Sequence, residues 1–168
     1  YSTQTTEGAL PGRVRWTHNS DGGNELWLYG PQSAHAKGGL ALAQHVRLES
    51  SGRYQVRLRA HWGASPTWVK VQLCQQYLLY QAQCQLRTRQ VSAASKTAGG
   101  WIVLPLLGPD LASTANTVAW GNGVLSIQLL QANAAVHIDA IELLDPGGRQ
   151  LLRNPDLAMD PRYWSSIA

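Results

Sequence analysis

Tyr54-Gln55-Val56-Arg57-Leu58-Arg59-Ala60-His61-Trp62 alternates apolar and polar side chains at every step. Successive side chains of an extended chain point to opposite faces. Tyr54, Val56, Leu58, Ala60 and Trp62 therefore share one face, and Gln55, Arg57, Arg59 and His61 share the other. One packed face and one wet face is the pattern of an antiparallel sheet. The same period recurs on both sides. Upstream, Leu40, Leu42, Val46 and Leu48 oppose His45 and Arg47; downstream, Val69, Val71 and Leu73 oppose Lys70 and Gln72.

Further strand-like runs are separated by turn signals. Arg13 to Thr17 and Glu25 to Tyr29 flank Asp21-Gly22-Gly23-Asn24, and Leu40 to Leu48 meets Tyr54 to Trp62 across Glu49-Ser50-Ser51-Gly52. Gln83 to Val91, Trp101 to Leu107, Val124 to Leu130 and Val136 to Leu144 follow. Only Asp110 to Thr117 invites a helical turn, and no internal repeat occurs. Short strands at this spacing predict an all-β sandwich or barrel, not βαβ units. In Val136-His137-Ile138-Asp139-Ala140-Ile141-Glu142-Leu143, the pair Val136 and Ile138 is out of phase with Ile141 and Leu143. One extra residue near Asp139, a β-bulge, returns both pairs to the core.

The chain has 168 residues, enough for one domain with a substantial core. Hydrophobic residues make up 44%, too many for a disordered chain, and charged residues only 14%. Amides and hydroxyls must build much of the surface, with 14 Gln. The net charge of +4 is a mild basic bias without a run of adjacent basic residues, so nucleic acid is not an expected partner. No apolar run reaches the 18 or more residues of a membrane span. The chain opens on Tyr1 and ends within Tyr163-Trp164-Ser165-Ser166-Ile167-Ala168, which reads as a piece of a longer protein. Membrane attachment is expected only through parent segments outside it. Cys74 and Cys84, at the base of a predicted hairpin, are expected to form a disulfide. That pairing implies an oxidising compartment, periplasmic or extracellular.

Two phrases carry a family likeness. The first is Leu42-Ala43-Gln44-His45-Val46-Arg47-Leu48 with Gly52-Arg53-Tyr54-Gln55-Val56-Arg57-Leu58-Arg59-Ala60; the second is Val136 to Leu143. Together they resemble the jelly-roll carbohydrate-binding modules, galactose-binding-like sandwiches attached to cellulases and xylanases. The resemblance covers Leu40 to Leu144 and implies an antiparallel β-sandwich of jelly-roll type that binds polysaccharide without catalysis. The chain is also similar to periplasmic portions of bacterial membrane proteins related to O-antigen ligases and VanZ-like proteins. The family's opening phrase, Asn-x-Asp-apolar followed by Trp, stands here at the end as Asn154-Pro155-Asp156-Leu157 and Trp164. Residues 1–150 are therefore read as the sandwich domain, and 151–168 as a C-terminal edge strand or the cut start of a following segment. In the family, the Asp139 position often helps hold a structural Ca2+; Asn154 and Asp156 are partners for it if the C-terminal phrase folds back. The other reading of Asp139 is a residue capping a bulge by hydrogen bonds. No cofactor is otherwise required.

Catalytic signatures are lacking: there is no Gly-x-Ser-x-Gly, His-Glu-x-x-His or phosphate loop. A glycosidase needs two carboxylates across one gap. Asp139 and Glu142, three residues apart, fall on opposite faces of a regular strand, an objection that a bulge weakens. His18, His35 and His137 show no metal-ligand spacing. Aromatic rings stack on sugar rings, so the seven Trp carry the binding expectation. Trp62 and Trp101 read as core. Trp68, Trp120, and Trp27 with Tyr29 read as ligand contacts or packing, with Tyr77 and Tyr80 as a rim. The polar face of the central hairpin carries His45, Arg47, Arg57, Arg59 and His61, either as a solvated face or as a groove for an acidic polysaccharide. Arg57, Arg59 and His61 are the candidates for that contact, since guanidinium groups bind carboxylates bidentately.

Overall fold

A computed structural model describes residues 13–18, 24–31, 41–49, 51–61, 66–76, 81–92, 100–108, 122–153, 155 and 164–167. Trp62, Tyr77, Tyr80, Trp120, Asn154, Asp156 and the segment 110–117 lie outside them. Among the described residues there is no helix, and so none long and apolar enough to cross a membrane.

The strands form two five-stranded antiparallel sheets. The first runs β1 (Arg13–His18), β2 (Asn24–Tyr29), β9 (Ala135–Leu144), β4 (Arg53–His61) and β7 (Trp101–Leu107). The second runs β10 (Ser165–Ile167), β3 (Ala41–Arg47), β8 (Asn122–Leu129), β5 (Thr67–Gln76) and β6 (Gln81–Val91). The pairs β5 with β6, β4 with β7, β3 with β8 and β2 with β9 are nested, each enclosing the last. They alternate between the two sheets. A long antiparallel ribbon rolled so that alternate pairs fall on alternate sheets is a jelly roll. The fold is therefore an all-β sandwich of jelly-roll type, with β1 and β10 added at one edge of each sheet.

The alternating apolar faces meet between the sheets. Tyr54, Val56 and Leu58 of β4 are buried in one cluster with Val69, Val71 and Leu73 of β5. Leu26 and Leu28 of β2 join them, as do Leu125, Ile127 and Leu129 of β8. The predicted bulge is present. Arg59 pairs with Ala140 and Ala60 with Ile138, which leaves Asp139 as the extra residue. Val136, Ile138, Ile141 and Leu143 are all buried as a result.

One expectation fails. Leu40 to Leu48 and Tyr54 to Trp62 do not pair, because β3 and β4 belong to different sheets. The connection crosses the sandwich and contains Gly52 at φ 124°, a conformation that side chains strongly disfavour. His45 and Arg47 therefore lie on the second sheet, across the molecule from Arg57, Arg59 and His61. Alternation names the wet face of each strand but not the sheet that contains it.

The hairpin at the inner end of the ribbon is stapled as expected: Cys74 and Cys84 are disulfide-bonded, with Cα atoms 4.0 Å apart. This agrees with an oxidising environment. On the open flank between edge strands β6 and β7, Arg89 Nη1 donates to the Val103 carbonyl at 2.9 Å and Arg87 Nε to that of Pro105 at 3.1 Å. Those bonds and Pro105 itself blunt an otherwise unpaired sheet edge.

The chain after β9 lies back on the sandwich. Buried Gln44 clamps the backbone of Arg153, donating to its carbonyl at 2.9 Å and accepting its N–H at 2.7 Å. The Ile141 N–H, just past the bulge, donates to the Pro155 carbonyl at 3.0 Å. Trp164 enters the core cluster, and β10 pairs with β3.

Candidate functional site

The polar candidates gather on the outer face of the first sheet. Register across β1, β2, β9 and β4 sets Arg15, Trp27, His137 and His61 in one row. The inward neighbours Leu26, Leu28, Val136 and Ile138 are buried, so Trp27, Tyr29 and His137 point out of the sandwich. The row is a run of stacked rings. The Trp27 and His137 centroids are 5.2 Å apart at 28°, and those of His137 and His61 are 5.2 Å apart at 7°. Tyr29 stacks on Trp27 at 6.3 Å.

Asp139, two residues from His137 and on the same outward face, sits beside this row. Its Oδ2 is 3.2 Å from His61 Nε2, and its Oδ1 is 3.7 Å from His137 Nδ1. Glu142 comes to the same face, where its Oε2 lies 3.1 Å from Arg57 Nη1. The expectation that Asp139 and Glu142 fall on opposite faces is corrected by the extra residue between the strand's two phases. Residues that contact them, His61 and Arg57, are four apart on β4 and share its outer side.

Toward β7 the face is built on a residue that the sequence reading assigned to the core. Trp101 is half-buried and opposite Arg59 in register, with Ile102 and Leu104 filling the interior instead. The Arg57 guanidinium carbon lies 4.6 Å from the Trp101 ring centroid and that of Arg59 lies 5.1 Å away. Cation–π contact holds both guanidiniums close to the sheet. Trp101-Ile102-Val103-Leu104-Pro105-Leu106-Leu107 is apolar in both phases, so periodicity could not assign its faces. The only signal was its pairing partner, a strand with Arg on the wet side.

Trp68 is not part of this site. It is 42% exposed on the outer face of the second sheet, opposite Gln90 of β6. A ligand on Arg57 or Arg59 does not reach it through the sandwich. Trp27, Tyr29, Arg57, Arg59 and His61 are thus brought to one face with Asp139, while Trp68 stands apart. Of the set assigned to calcium, Asn154 and Asp156 lie outside the described residues. Asp139 is flanked by two imidazoles, and Ca2+ takes oxygen ligands.

No protein-family model matches the chain, and no curated protein matches it in sequence.

Proposed function

We propose that this domain is a non-catalytic carbohydrate-binding module that takes an acidic polysaccharide on the outer face of the β1-β2-β9-β4-β7 sheet. The carrying observation is Arg59. It is exposed, makes no ion pair among the described residues, and is braced over Trp101 beside Arg57 and His61. A braced guanidinium loses little further freedom when it binds a carboxylate in its two-pronged geometry. Trp27, His137 and His61 already use ring faces on each other, and Trp101 faces the two arginines. This favours recognition through charged donors over stacking on a neutral sugar. The jelly-roll resemblance and the disulfide together support a setting in polysaccharide handling at the bacterial cell envelope.

The test is a binding screen of the folded domain against neutral and uronate-containing polysaccharides at low and raised salt. Arg59→Ala is expected to weaken uronate binding at least tenfold, and salt to weaken it further. Trp68→Ala, on the far sheet, is expected to leave it unchanged. Equal binding by the parent and Arg59→Ala would refute this site.

A second reading has its own observation. Trp68, Leu86 and Leu130 are 42%, 56% and 40% exposed on the second sheet. They favour a protein-interaction or scaffold role for that face in a membrane-anchored assembly. Silence across the glycan panel would make it the leading account.

A further inference from the structure

We propose that His61, His137 and Asp139 form a binding site for a divalent transition-metal ion of the zinc class. The proposal is independent of the glycan reading. One ligand atom from each residue lies within 4.8 Å of the others. Two imidazole nitrogens and a carboxylate oxygen suit Zn2+ and its borderline neighbours, and they do not suit Ca2+ or Mg2+.

Two separations, each to a different oxygen of the Asp139 carboxylate, are near those of a closed site. Zn–N and Zn–O bonds of about 2.0–2.1 Å place tetrahedral ligand atoms about 3.3 Å apart. His61 Nε2 and Asp139 Oδ2 are 3.2 Å apart, and His137 Nδ1 and Asp139 Oδ1 3.7 Å. Imidazole lone pairs lie in the ring plane, and the two rings are only 7° from parallel. One ring must therefore turn for both to aim at a single ion. His61, with its side chain 69% exposed, is free to do so, whereas that of His137 is 19% exposed and stacked on Trp27. The structure thus holds two ligands in place and leaves one to swing in.

The neighbouring charges permit a cation. Arg57 is paired with Glu142, and Arg59 is drawn to Trp101 on the β7 side of β4, away from β9. Three protein ligands leave a fourth coordination position open, and the exposure of His61 places it toward solvent.

The experiment is calorimetric titration of Zn2+ into the chelator-stripped chain, with Co2+ absorption as a second readout of nitrogen ligation. One equivalent is expected to bind, at least tenfold more weakly in His61→Ala and in Asp139→Asn. His45→Ala, which removes an exposed imidazole from the other sheet, is expected to bind as the parent does. Excess Ca2+ is expected not to displace the ion. If Asp139→Asn fails to fold, His61→Ala decides alone, since that side chain makes no core contact. No binding by the parent, undiminished binding by His61→Ala, or displacement by Ca2+ would each overturn the proposal.

Discussion

Asp139 carries the largest consequence of any single residue, because between His137 and Leu144 it is the one position of β9 without a partner on β4. Deleting it joins Ile138 directly to Ala140 and gives the phase Val136, Ile138, Ile141, Leu143 on one side. That is the set already buried. The shortened chain is expected to fold, to unfold cooperatively on heating, and to bind no Zn2+. A deletion variant that unfolds would mean the bulge itself supports the sandwich. Gly30 is constrained for a different reason. A Cβ there would overlap the Gln131 carbonyl oxygen, which is backbone and cannot swing aside. Gly30→Ala is expected to cost at least about 1–3 kcal/mol, read by chemical denaturation. Unchanged stability would show that the approach of residue 131 to β2 is not held.

The hairpin β5–β6 is the element on which local covalent restraint acts. The pairing slips by one residue between Leu73 and Gln75, beside the disulfide, where Gln83 has φ 50°. Bond and bulge together set the end of the ribbon from which the nested pairs are built. Replacing both cysteines with Ala removes a cross-link between positions ten apart in sequence. The expected loss is about 2–3 kcal/mol. For a chain of this size that is a fall of roughly 4–12 °C in Tm. The hairpin was legible in advance because its strands, loop and cysteines are all local. The membership of β3 and β4 in separate sheets was not. The two strands read alike whether the link between them reverses the chain or crosses the sandwich.

Across the whole molecule, Arg149 links the ends of two distant strands. Its Nη2 lies 3.0 Å from Glu49 Oε2 after β3, and its Nε 3.3 Å from Asp145 Oδ2 after β9. The hydrogen bond and charge of Arg149, with Arg47 beside it, hold the Glu49 carboxyl below its usual value of 4.5. A carboxyl with a lowered folded pKa binds fewer protons folded than unfolded. It stabilises the fold above pH 4.5, and that contribution is lost as the pH falls through the lower folded value. The groups are solvent-exposed, so the effect is small and screened by salt. The difference in Tm between the parent and Arg149→Ala is expected to shrink as the pH is lowered below 4.5 and as salt is raised. A difference constant in pH would assign the effect to packing of the arginine stem.

The sequence by itself determined the class of fold, the buried face of most strands, the disulfide and the bulge. Each of these follows from side-chain period or from residues close in the chain. The two-residue repeat of a strand is a local property, and a phase slip within one strand is visible in that strand alone. Tertiary structure decided which strands are neighbours, and with that the candidate site. Trp101 left the expected core because β7 lies beside Arg57 and Arg59. His137 showed no metal-ligand spacing in the chain, yet it meets His61 across a register between residues 76 positions apart. Trp68 and Arg57 read alike as wet-face residues and stand on opposite sheets. A strand announces its faces in its own residues, but its neighbours are chosen by the closure of the entire ribbon.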